Sequence, residues 1–142
     1  MNDSIVHSEH APKPVGAYPH ARRVGNLLFL SGVGPRDPLD NEIPGNVHDA
    51  SGKLVAYDIA RQCQTVFTNV RTILAASGAR WEDLVDVTVF LTDMTRDFAV
   101  YNEIYAEYFK TVQPCRTTVG ISALPTPIAI ELKCIAAIPE GR

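Results

Sequence analysis

The amino-acid sequence predicts an α+β fold, one mixed β-sheet with two helices packed on a single face, in the order ββ-αβ-αββ. Three observations carry that expectation. Two segments, 58–78 and 95–110, repeat apolar residues at three- and four-residue steps, the spacing of a helix with one buried face. Short apolar or β-branched runs stand before, between and after them. The chain has 142 residues, 46% hydrophobic and 20% charged, which suits a single domain, 1–142, with one core. Helices on one face leave the other face of the sheet needing cover, and in a chain this short self-association is the expected source.

The first two strands lie in "ARRVGNLLFLSG", where Gly25 and Asn26 separate residues 21–24 from the apolar run 27–30 as a tight turn does. The next stretch, "RDPLDNEIPGNVHDASG", holds two prolines and two glycines without periodicity, so it is expected to be a loop outside any core. Loops of this length in small domains are often functional. From Asp58 the period changes. Ile59, Cys63, Val66, Phe67, Val70, Ile73 and Leu74 form one apolar stripe, with Asp58 placed as an N-cap and Gly78 as a C-terminal stop. "DLVDVTVFL" reads as a strand through Leu84, Val87, Val89 and Leu91. The second helix follows, with Phe98, Tyr101, Ile104, Tyr105 and Tyr108 at helical spacing. Two closing strands, "CRTTVGIS" and "IAIELKCIAAI", are separated by "ALPTP", whose prolines forbid a continuous ladder.

Composition narrows the function. A net charge of -3 argues against a broad nucleic-acid footprint or an anionic membrane surface. Three cysteines without CxxC spacing support neither a disulfide framework nor a zinc site, and they fit a reducing, cytoplasmic setting. Cys63, Cys115 and Cys134 are expected to be small packing residues. No apolar run reaches the roughly 18 residues of a membrane span, and the polar N-terminus lacks an apolar core.

Two charges stand out in the closing strands. Arg116 and Glu131 interrupt otherwise strand-like runs, and ions are rarely buried unless paired or put to use. Each has a plain reading: Arg116 as an exposed or ion-paired strand residue, Glu131 as an outward residue paired with Lys133 on the same strand face. Together they have a chemical one. Joined through a Pro-rich turn, they meet either at one end of the sheet or across a subunit boundary, arginine clamping a carboxylate and glutamate activating water.

"PCRTTVGISALPTPIAIELKCIA" resembles the C-terminal signature of the Rid (YjgF-like) family of enamine and imine deaminases: Pro-x-Arg, then Leu-Pro, then an apolar strand holding Glu. "GAYPHARRVGNLLFLSG", "QTVFTNVRTILAASGARWEDLVDVTVFLTDM" and "DFAVYNEIYAEYF" are similar to its opening hairpin, central helix and second helix, in the family's order. The resemblance implies a chorismate-mutase-like fold, assembled as a homotrimer or hexamer with sites between subunits. It implies that Arg116 holds the substrate carboxylate, Glu131 positions or activates the attacking water, and Tyr18, Ser31, Gly32 and Asn102 line the cleft. Many members carry a cysteine two residues after the arginine. Here that place is Thr118, a hydrogen-bond donor, so thiol chemistry is not expected. No metal, nucleotide or flavin is needed.

The loop after Gly34 is longer than the family's usual connection and resembles the 2-aminomuconate deaminase branch, which converts 2-aminomuconate and water to 4-oxalocrotonate and ammonia in bacterial breakdown of aromatics. The alternatives are a general 2-aminoacrylate or 2-imino acid deaminase, and a non-catalytic trimer that binds a small carboxylate or acts as a chaperone. A dicarboxylate substrate would need a second cation or donor set, for which Arg22, Arg23, Arg36, His20 and His48 are the candidates.

Overall fold

The first long helix, α1 (Ile59–Ala76), starts where Asp58 accepts a hydrogen bond from the Arg61 amide at 3.1 Å and ends before Gly78, whose φ of 74° only glycine adopts cheaply. Its stripe of Cys63, Val66, Phe67, Val70, Ile73 and Leu74 is buried. The second helix, α2 (Met94–Tyr108), is capped by Asp93 and packs on α1. It buries a narrower stripe than its spacing predicts. Tyr101 and Tyr105 go inside, while Phe98 stays partly exposed, set edge-to-face against Tyr101.

These helices cover one face of a six-stranded mixed sheet in a computed structural model that describes residues 4–142. The sheet comprises β1 (Ile5–Val6), β2 (Ala21–Val24), β3 (Leu27–Leu30), β6 (Leu84–Leu91), β7 (Cys115–Gly120) and β8 (Ile130–Ala137), in the order β1-β2-β3-β8-β6-β7. All neighbours are antiparallel except β6 and β7, and that parallel pair requires the crossover that α2 supplies. In β6 the core set Leu84, Val87, Val89, Leu91 skips a step at Val85. A register shift between Leu84 and Asp86 absorbs it as a bulge, leaving Val85 exposed.

Four details differ from the sequence reading. The segment Ile5–Val6 adds an edge strand to β2. The long loop contains a two-stranded ribbon, β4 (Val47–His48) and β5 (Leu54–Ala56), because Asp49 accepts from the Ser51 amide and hydroxyl and the Lys53 amide, closing a tight turn. Nor does that loop lie outside the core, since Ile43 is buried. Among the cysteines, Cys63 and Cys134 are buried, their thiols pushed up to about 12 by desolvation, but Cys115, expected to be a packing residue, is exposed on edge strand β7.

The sheet's second face carries half-exposed Phe29, Phe90 and Ile135 beside Glu131 and Lys133, with no helix over it among the described residues. Neither helix is long and apolar enough to cross a membrane.

Candidate active site

Strand β3 delivers Ser31 and Gly32 to the sheet's end. There the Ser31 amide donates to the His20 carbonyl at 3.0 Å and its hydroxyl to the Pro19 carbonyl at 2.7 Å, which draws Tyr18 alongside. Tyr18 is half-exposed, its hydroxyl accepting from the Val15 amide at 3.2 Å. Glu131, on neighbouring strand β8, lies directly over Gly32: a Cβ at position 32 would come 2.8 Å from Glu131 Oε2. The absence of a side chain there is what lets the carboxylate sit against the backbone. Tyr18, Ser31, Gly32 and Glu131 share one open cleft of about 90 Å³.

Glu131 has no hydrogen-bond or ion-pair partner among the described residues. Lys133, the partner expected from the strand's period, donates instead to the Leu30 carbonyl. Burial alone therefore sets the carboxyl's behaviour and raises its pKa above the ordinary glutamate value. A half-buried carboxylate with no cation is poised to take a proton.

Arg116 belongs to a second cluster. Its Nη1 donates to Asn102 Oδ1 at 2.8 Å, and its guanidinium lies 4.7 Å from the Tyr105 ring centroid and 5.4 Å from that of Tyr101. Thr118 joins through a 2.9 Å hydroxyl contact with Tyr101. Aromatic faces and one amide thus hold the cation in place while much of it stays open to solvent.

Register separates the two clusters. Arg116 stands opposite Val87 and Glu131 opposite Phe90. Val87 belongs to the helix-covered core and Phe90, an odd number of residues on, points the other way. Within one chain the two charges occupy opposite faces of the sheet, with β6 between them. They are separated by about 10 Å across the strands and about 10 Å along them. The expectation that they meet at one end of the sheet fails, because strands consecutive in sequence are not neighbours here; the subunit boundary remains.

Residues 8–138, nearly the whole chain, match the family model described as Endoribonuclease L-PSP. A RutC family protein of Pyrococcus horikoshii is 41% identical over 93% of this chain and 95% of its own length. The chain belongs to the Rid (YjgF-like) family. Another relative, Reactive Intermediate Deaminase A, chloroplastic, of Arabidopsis thaliana, is 38% identical over 97% of this chain and 67% of its own. Among solved structures, E. coli TdcF with bound serine matches with a TM-score of 0.82 at 30% identity, covering 95% of this chain and 98% of that one.

In this Rid protein two residues that the sequence reading passed over hold the cleft's surroundings. Gln62 and Asn69 are buried polar residues on α1. Gln62 accepts from the Ala129 amide at 2.8 Å and donates to Asn46 at 3.2 Å. Asn69 donates to the carbonyls of Gly34 and Arg36, both at 2.9 Å. Their signal is two amides seven residues apart, two helical turns, on an otherwise apolar side. Among the described residues no three His, Cys, Asp or Glu side chains converge as metal donors.

Proposed function

We propose that this Rid protein is a cofactor-independent hydrolytic deaminase of small enamine and imine acids, acting at sites shared between protomers of a homotrimer. The observation that carries the reading is Glu131, half-buried, unpaired and seated over Gly32 in an open cleft. The enamine tautomerises to an imine. Glu131 takes a proton from water as the oxygen bonds to the imine carbon and passes it to the imine nitrogen, giving a carbinolamine; it then carries the hydroxyl proton to that nitrogen, so that the C–N bond breaks, ammonia leaves and a ketone remains. Arg116, with Asn102 and Thr118 beside it, comes from a neighbouring protomer and clamps the substrate carboxylate, fixing the carbon against the water. Tyr18, Ser31 and Gly32 shape the cleft around it.

Two names among the relatives support the reading: one is a reactive intermediate deaminase, and TdcF was solved holding serine, a small amino acid with one carboxylate. The family model's description points to RNA cleavage, which a chain of net charge -3 is poorly suited to. Of the substrates weighed, 2-aminomuconate is favoured by the long loop and 2-aminoacrylate is the simpler alternative.

The test is ammonia release from enzymatically generated 2-aminomuconate and 2-aminoacrylate. Glu131→Gln should lower kcat by about 10²- to 10⁴-fold with folding intact. In the wild type kcat/KM should climb with pH through a value above the ordinary glutamate range, because the base works only when ionised. Full turnover by Glu131→Gln, or no ammonia from either substrate, rejects the proposal. Ligand binding without turnover in the wild type would favour a binding module.

A further inference from the structure

Arg36 lines the same cleft as Glu131, reaching it from the start of the long loop. It has no carboxylate within ion-pair distance among the described residues. Its position is nonetheless built. Nη1 donates to Asn41 Oδ1 at 3.3 Å and Nη2 to the Lys13 carbonyl, which uses two of the guanidinium's five N–H donors and leaves the others free. The backbone beneath is held as firmly. Val33 bridges Leu132 on β8, and buried Asn69 binds the carbonyls on either side of Pro35. Asn41 is presented by a closed turn in which the Asp37 amide donates to Glu42 and the Asn41 amide to Asp37, with Asn41 at φ 63°.

The other cations and donors that the sequence offered are spent or elsewhere. His20 lines the cleft, but Nδ1 accepts from the Ser8 amide at 3.0 Å and Nε2 donates to the Pro12 carbonyl at 2.8 Å, so neither ring nitrogen is free. Arg23 turns back to the Gly25 carbonyl on its own hairpin. Arg22 and His48 do not line the cleft.

We propose that Arg36 is a second carboxylate anchor, making dicarboxylic enamine or imine acids the substrate class of this protein. The assignment rests on the deaminase reading of the same cleft. One carboxylate binds Arg116 and the other binds Arg36, with the carbon to be hydrated between them near Glu131. A guanidinium fixed in a cleft without a counter-ion is a demand for an anion, and a ligand lacking the second carboxylate leaves it unmet.

Equilibrium binding separates this from a purely bracing role and does not depend on turnover. The probes are trans,trans-muconate, a dicarboxylate, and sorbate, which has the same trans,trans six-carbon diene chain with a methyl group in place of one carboxylate, titrated calorimetrically. The wild type should bind muconate about 10- to 100-fold more tightly than sorbate. Arg36→Gln should bind the two alike, and Arg36→Lys should retain part of the preference. Asn41→Ala, which removes a brace and leaves the cation, should keep most of it. Absence of preference in the wild type, its survival in Arg36→Gln, or its complete loss in Asn41→Ala would overturn the assignment. Muconate preference in a protein that releases ammonia from no enamine would remove the deaminase reading and leave the anchor standing.

Discussion

Glu131 and Asp97 are both carboxyls that burial makes harder to ionise, and their neighbours give them different work. Glu131 opens onto a cleft with no partner. Asp97, in the first turn of α2, is wholly buried, accepts from the Tyr57 hydroxyl at 2.5 Å and stands 3.7 Å from Arg96, with Oδ1 left without a hydrogen bond. Desolvation outweighs those two stabilising contacts and raises its pKa above 3.8. The folded state therefore holds this proton more tightly than the unfolded chain. The stability it contributes is complete below 3.8 and is lost as pH rises through the raised folded value. Asp97→Asn keeps an acceptor for Tyr57 and cannot ionise. Thermal melts from about pH 4 to about pH 8 should show the wild type losing stability relative to this variant as pH increases. Parallel curves would show that Asp97 is not the titrating group.

At the level of elements, α1 has two duties. Its apolar stripe was legible in the sequence because periodicity reports burial directly, and so were both caps and the hairpin turn. Its second duty, latching the long loop through Gln62 and Asn69, was not, since a polar residue gives no sign of whether water or a distant carbonyl satisfies it. The β4–β5 ribbon escaped notice for a related reason: Asp49's turn, not an apolar pattern, holds it. Asn69→Ala leaves two carbonyls without their donor and should cost about 1–3 kcal/mol in denaturant unfolding. It should also reduce the muconate preference, because the backbone beneath Arg36 depends on that amide. A loss near zero would mean that the loop finds other partners.

Over the whole molecule the decisive feature is strand order. Arg116 and Glu131 were both visible in the sequence as ions out of place. That they lie on opposite faces was not, because it depends on β6 entering between two strands that follow each other in the chain. A site using both must draw them from different protomers, consistent with a sheet face that no helix of its own chain covers. Arg116→Ala and Glu131→Ala, each inactive alone, should regain activity when co-refolded. Random assortment would yield roughly one quarter of the wild-type sites, since each needs one intact residue from each neighbour. No recovery in proven mixed oligomers would return both residues to a single chain.

The close approach at Gly32 bears on heredity as well as chemistry. A methyl group there would press on the end of a flexible side chain and not on backbone, so the strand need not yield; the carboxylate swings aside instead. A single-base change at this codon would thus leave abundance, solubility and melting point much as they were while moving the carboxylate to which the proposed reaction assigns the proton transfers. The fault would pass any inspection that asks only whether the protein is present.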